Sequence, residues 1–413
     1  MMNAEQGQAM RTQRAMEIAK RKRIIKRGPT WIVPSQSHSG SYVVTTSVVH
    51  GMPTWECSCP DYASRGGQSC KHCIAVEIVR HHEMPDGSVV TETLKVTYSQ
   101  DWPKYNAAQV QEKERFELLL RDLCKGIAQP PQAMGRKRLP LADMVFSAAQ
   151  KVYSTQSGRR AQTDVRASRA KGLIDSTPSY NSLFRFMESS AITPLLKSLV
   201  EVSAAPLASV EVDFAVDSTG FATKTYKRWF DHKWGKERSE VAWLKAHLTC
   251  GVKTNIVSAI YVGPEASPDC PEMPGLLDTT AKRFRIGEVS ADKAYLSHEN
   301  VEKVVALGGM PYIPFKIGTG EGAGGSKLWQ SLYHFFRWNN DKFMAHYHKR
   351  SNVETTFHMI KSKFGASVRS KSYDAQVNEV YLKALCHNVV VLNSAVLELG
   401  IEPQFAEEIG RVA

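Results

Sequence analysis

Tyr347, Arg350, Glu354 and Lys361 set a phenol, a carboxylate and two cations at successive gaps of three, four and seven residues. At about 100° per residue, one helix over 345–364 would gather all four within an arc of roughly 60°. A carboxylate can ligate a metal ion, Arg and Lys grip phosphate oxygens, and Tyr can donate to one. These are groups for chemistry on a phosphodiester. The plainer alternative is a solvated Arg350–Glu354 ion pair at i,i+4, common on exposed helices.

Further acids must come from elements upstream. The segment VEVDFAVDSTGF alternates like a strand and reads as ending at Asp217, and a short strand over 287–291 ends at Asp292 in EVSADKAY. Between them, strands are expected over 243–250 and 255–262, and a helix near 276–284. Asp213 shares the strand face of Asp217, and Glu288 that of Asp292, so both are competitors. Lys245 and His247 face one way along their strand; they either approach the site or, for His247, fill a buried structural place. The run GTGEGAGGSK (318–327) lacks the GxxxxGK[ST] spacing and reads as a loop, which argues against a nucleotide cofactor.

Four of the eight cysteines crowd between Cys57 and Cys73. A strand over 41–49, a turn at 50–53, a returning strand over 54–59 and a helix from Lys71 would bring Cys57, Cys59, Cys70 and His72 together. Three thiolates and an imidazole suit tetrahedral zinc, with Cys73 as a competing fourth ligand. A module of this size has little core of its own, so a structural ion would hold it.

The stretch HYHKRSNVETTFHMIK resembles the Y-(2)-R-(3)-E-(6)-K block of insertion-sequence DDE transposases, whose catalytic core is RNase H-like. The resemblance extends over about 210–393 through DSTGF, WLKAH and ADKAY. It implies an α/β fold with an RNase H-like mixed sheet flanked by helices, preceded by a small ββα zinc module and a helical region. It also implies Asp217, Asp292 and Glu354 as the acidic triad for two Mg²⁺ or Mn²⁺ ions, with Arg350, Lys361, Tyr347 and Lys245 on DNA. The sequence WECSCPDYASRGGQSCKH likewise resembles the SWIM zinc finger, C-x-C-x(n)-C-x-H.

Charge agrees with such a partner. The net charge is +12, and residues 1–28 carry eight basic residues against two acids. This segment reads as a nucleic-acid arm or as a solvated tail. With no apolar run near the ~20 residues of a membrane span and no secretory core, the expected setting is intracellular. That means cytoplasmic and nucleoid-associated, or nuclear in a eukaryote. The middle of the chain reads as mixed, with a helix marked by Leu141, Val145, Ala149 and Val152. A second helix is expected to open at Thr177-Pro178, with Leu183, Phe184 and Met187 inward. A basic stretch, Arg159 to Lys171, lies between them. These helices are either a helix-turn-helix-like DNA reader or a spacer packed on the catalytic domain.

The expected organisation is therefore a basic arm (1–28), a zinc module (29–85), a mixed or helical region (86–206), an RNase H-like domain (207–395) and a tail (396–413). The function that follows is DNA transposition on element ends and target DNA by at least a homodimer. The alternatives are a catalytically silent DNA-binding derivative and a structure-selective nuclease.

Overall fold

The computed structural model describes residues 24–80, 102–223, 243–316 and 326–405, apart from short gaps at 28–29, 37–39, 50–51, 65–68, 133, 136 and 404. A few helical positions between 11 and 19 are also described. The aromatic stretch 226–234 and most of the glycine-rich run lie outside the described residues. The chain forms two compact units, 1–100 and 101–413.

The smaller unit is built on an antiparallel sheet, β1 (Ile25–Arg27), β2 (Thr30–Pro34), β3 (Ser41–Val49) and β4 (Met52–Cys57), in that spatial order. The expected two strands and helix are present, the helix being Lys71–Arg80, and two further strands precede them. The returning strand stops at Cys57, and a short helix, α1 (Pro60–Ser64), replaces part of the expected loop. Ala15 and Ile18 are fully buried in one apolar cluster with Trp31, Val33, Val44, Ala75 and Val76. Part of the segment read as a basic arm therefore supplies core, through two apolar positions three apart that the surrounding Lys and Arg obscure.

The helix Lys71–Arg80 is α2. In the larger unit come α3 (Trp102–Val110), α4 (Glu112–Lys125), α5 (Leu141–Tyr153), α6 (Gly158–Ala170), α7 (Tyr180–Met187) and α8 (Thr193–Ala204). The basic stretch is thus itself a helix, and α7 is capped by Ser179 rather than by Thr177-Pro178. The Ser179 hydroxyl accepts from Ser182 N, and the Pro178 carbonyl accepts from Gln162. Leu183 and Met187 are buried as expected, but Phe184 is exposed at 39% and lays its ring against Gly158. Residues of α4 to α8 share one apolar cluster with the sheet described next.

That sheet holds β5 (Asp213–Ala222), β6 (Trp243–Gly251), β7 (Val257–Pro264), β8 (Glu288–Ala291) and β9 (Met310–Tyr312) in the order β7-β6-β5-β8-β9. The first three are antiparallel, while β8 and β9 run parallel to β5 and to each other. This is a mixed, RNase H-like sheet. Helices α9 (Met273–Ala281) and α10 (His298–Ala306) follow on one side. On the other lie α13 (Ser351–Phe364) and the long α14 (Tyr373–Leu399), reached through α11 (Lys327–Trp338) and α12 (Asn340–Tyr347).

By length and composition α14 could cross a membrane, contrary to the expectation that no run comes near that length. In this fold 78% of its apolar window is buried inside the unit. Its buried polar side chains tie down neighbouring segments. Asn388 bonds both Val257 N and Val257 O, His387 donates to Asn255 O, and Lys383 donates to Gly365 O and Ser367 O. Burial pushes the His387 imidazole down to about 4 and the Lys383 amine down to about 8.

Candidate active site

Asp217 lies in the middle of β5 rather than at its end. The strand runs on because β6 pairs with it as far as Ala222, while β8 stops opposite Val216. The parallel register pairs Val216 with Ala291, so Asp217 and Asp292 are the next residues on adjacent strands, where β8 gives out. The site therefore sits at the carboxyl end of β8, where the sheet changes from antiparallel to parallel neighbours.

The third acid arrives on a broken helix. The expected helix over 345–364 is two helices, α12 and α13, joined by a 3₁₀ turn at His348–Arg350. The break has a visible tertiary cause. Lys349 Nζ donates to Asp213 Oδ2 (2.9 Å) and Glu288 Oε2 (2.7 Å), and His346 Nδ1 lies 3.0 Å from Glu288. The two competing acids are thus engaged in docking this turn onto β5 and β8. The Lys349 amine is raised: its burial opposes the charge, and hydrogen bonds to the two carboxylates outweigh that cost.

With the turn docked, Arg350 spans two carboxylates. Its Nη2 is 2.7 Å from Asp217 Oδ2, and its Nη1 is 2.7 Å from Glu354 Oε1. Two turns beyond Glu354 along α13, Lys361 Nζ donates to Thr219 Oγ1 at 2.6 Å, and Thr219 shares the strand face of Asp217. Lys361 also lies 5.5 Å from the Phe221 ring centroid, and burial pushes its amine down. Tyr347 is partly buried beside the group: burial raises its phenol, the nearby Asp292, Asp217 and Glu354 raise it further, and Arg350 opposes them. The sequence-derived Arg350–Glu354 pair is therefore real, and it continues to Asp217 on the sheet.

Burial pushes the Asp217 carboxyl up, and Asp292 and Glu354 add to this against the Ser218 N–H and Arg350. A dication among these acids would relieve the same desolvation and repulsion. The donor set, three carboxylates from a strand, a strand end and a helix, suits hard ions such as Mg²⁺ or Mn²⁺.

Lys245 does not join this group. Ser218 pairs with His247 and Gly220 with Lys245 across β5 and β6, so both side chains share the face of Ser218, opposite that of Asp217. There they converge on Asp269, which the sequence reading did not single out. Lys245 Nζ is 3.0 Å from Asp269 Oδ1, Ser218 Oγ donates to it at 2.6 Å, and His247 Nδ1 is 3.4 Å away. Burial opposes ionisation of Asp269, but Ser218 and Lys245 hold its carboxyl below the usual value. His247 is fully buried, and that burial takes its imidazole down to about 4.

In the smaller unit Cys57, Cys59, Cys70 and His72 are all buried, with ligand atoms within 4.8 Å of one another. Cys57 Sγ and Cys70 Sγ lie 3.8 and 3.7 Å from His72 Nδ1. Ligands about 2.0–2.3 Å from a tetrahedral ion stand roughly 3.5–3.8 Å apart, so the group has the dimensions of a closed zinc site. Cys73 Sγ is 3.7 Å from Cys70 Sγ and remains the competitor. The four cysteines are free thiols. Hydrogen bonding with Cys57 holds the Cys70 thiol far below its ordinary value and pushes Cys57 far above it.

The carboxylate group falls within residues 208–389, which match the family described as "Transposase DDE domain". That match spans the five-stranded mixed sheet and most of α14, so this region is similar to transposase DDE domains. Among solved structures, the cryo-EM structure of the piggyBac transposase synaptic complex with hairpin DNA (SNHP) is similar at 11% identity. The similarity covers 72% of this chain and 78% of that one with a TM-score of 0.36, too low to bear on any residue here.

Proposed function

We propose that this protein is a DNA transposase that hydrolyses a phosphodiester at the end of an insertion sequence and transfers the strand to target DNA. The observation that carries the reading is Arg350 held between Asp217 and Glu354 on a sheet where Asp217 adjoins Asp292, inside a region similar to transposase DDE domains. Asp217, Asp292 and Glu354 would hold two Mg²⁺ or Mn²⁺ ions. When bound, such ions activate the attacking oxygen and stabilise the leaving one.

The chain's own residues do the positioning. Arg350 exchanges its carboxylate partners for phosphate oxygens, to which its planar fork is equally matched. Lys361, without an ion-pair partner among the described residues, supplies a second positive charge beside β5. Tyr347 contacts the flanking backbone. Attack by water releases a 3′-hydroxyl, and attack by that hydroxyl on target DNA exchanges one ester for another, so no nucleotide cofactor is required.

The Cys57, Cys59, Cys70 and His72 group would hold structural zinc in a SWIM-type module. Together with the basic N-terminal segment it would recognise the element ends. Two ends joined to one target call for at least a homodimer on double-stranded DNA, acting at the nucleoid or in the nucleus. Lys245, expected on DNA, is paired with Asp269 on the sheet face opposite Asp217.

The test is cleavage of labelled DNA carrying the sequences that flank the reading frame, with Mg²⁺ or Mn²⁺. Wild type should cut and join, and Glu354→Gln should lose at least about a thousandfold in rate while still binding DNA. Equal activity of the two proteins refutes the assignment.

A further inference from the structure

A cavity of about 790 Å³ opens in the larger unit away from the carboxylates. Its walls come from the end of α5 (Lys151), the start of α6 (Ser157, Gly158), the end of α7 (Glu188) and the segment leading into α14 (Arg369, Lys371). Lys151 is only 6% exposed, and no hydrogen bond or ion pair holds its ammonium group among the described residues. The acid nearest to relieving it, Glu379, accepts instead from Arg369 N, Ser370 N and Ser370 Oγ. Lys151 lines the cavity, so its ammonium group meets water or an anion there rather than a carboxylate. Around it stand Arg369 and Lys371 against the single acid Glu188, and the first turn of α6 presents the positive end of a 13-residue helix.

The cavity is also tied to the catalytic strand. Gly365, at φ +86°, ends α13 in a conformation that other residues rarely adopt, and the chain returns to β5. There Ala222 N donates to Ala366 O and Val368 N to Ala222 O, with Lys383 holding Gly365 O and Ser367 O. Asp217 and Ala222 are five residues apart on one strand, roughly 16 Å at about 3.3 Å per residue. That is the run of about five nucleotides at ~3.4 Å each.

We infer that this cavity is a phosphate-binding subsite, in which Lys151, Arg369, Lys371 and the α6 N-terminus hold one backbone phosphate of the DNA substrate. The inference rests on the DNA-transposase reading for the source of the phosphate, and on the cavity alone for its chemistry. Burial also holds the Lys151 amine below its ordinary value, with Glu379 opposing and Arg369 reinforcing this, so a bound anion would favour its charged form.

Two measurements on the full-length, metal-loaded protein test it, both using Lys151→Met. First, thermal unfolding is followed against inorganic phosphate, with ionic strength kept constant by chloride. Wild type should be protected by phosphate. The variant should lose that protection while being at least as stable in chloride, because Met fills the place without a buried charge. Second, binding of a short duplex is measured against salt in the Glu354→Gln background. Lys151→Met should bind about tenfold more weakly, with the slope of log K against log salt reduced by about one.

A variant less stable than wild type in chloride means a structural lysine and overturns the inference. Protection by phosphate with an unchanged salt slope means a small-anion site and overturns the DNA assignment. If no form of the protein binds DNA, the reading of the preceding section fails, while the phosphate titration still reports on the cavity.

Discussion

The two candidate metal groups of this chain are built on opposite plans. The Cys57, Cys59, Cys70 and His72 group comes from one stretch of 16 residues, is buried throughout, and already has its ligand atoms within 4.8 Å of one another. The Asp217, Asp292 and Glu354 group comes from three elements spread over more than a hundred residues of sequence, and its Glu354 side chain is 60% exposed. A guanidinium stands between two of its three acids. The first arrangement is closed and suits an ion that holds a fold. The second is open and keeps its charge balanced by a residue that can leave. The geometric difference between the two groups is that a protein cation already lies between two of the three carboxylates.

The comparison is most sharply tested by Cys70→Ser. Structural zinc supplies ~10–16 kcal/mol of apparent binding energy to small modules. The variant should therefore lose hydrogen-exchange protection throughout residues 24–80, with the 102–405 region unchanged. Retained protection in the small unit would remove the contrast, since its core would then be sufficient without an ion.

Acid should reach the larger unit by a different route. His387 and His247 titrate near 4 in the fold against 6.5 when unfolded. Their folded values are depressed, so the unfolded chain takes up protons first as pH falls below about 6.5. The stability they allow is complete above that pH and is lost on descending toward 4, by up to roughly 3 kcal/mol for each group. Urea unfolding of the larger unit at pH 7 and pH 4.5 should show the loss. His387→Gln, which can still donate to Asn255 O, should reduce the pH dependence by about half; an unaltered dependence would place the titration elsewhere.

The smallest effect bears on the open site itself. Arg350→Ala leaves Asp217 and Glu354 without their shared cation, so Mn²⁺ binding to the free protein should tighten about tenfold, or about 1.4 kcal/mol. Cleavage should fall at the same time, because the phosphate clamp is gone. Calorimetric titration that shows weaker Mn²⁺ binding in this variant would mean that Arg350 organises the ligands instead of standing in for the ion.

Much of the site was legible in residue order. Alternation marked the strands that carry Asp217 and Asp292, and the gaps from Tyr347 to Lys361 marked a helical face. The break at His348–Arg350 was not legible, since that turn has neither Gly nor Pro. It follows from Lys349 reaching Asp213 and Glu288, residues 136 and 61 positions away in the chain. Asp269 was invisible for a similar reason: it lies outside any periodic pattern, and its partners Ser218, Lys245 and His247 come from two strands. The period of two showed that Lys245 and His247 share a face, but it could not say which one. Only the pairing of Ser218 with His247 decides that, because a shift of one residue would turn both side chains over.

The sequence by itself determined the ligand types, their order, and the strand and helix patterns that carry them, because these depend on local chemistry and on periods of two and 3.6. Tertiary structure alone decided that β8 ends beside Asp217, that Arg350 bridges two acids, and that Lys151 lines a cavity. Each of these is set by register and packing between segments far apart in the chain, and local residue preferences carry no record of either.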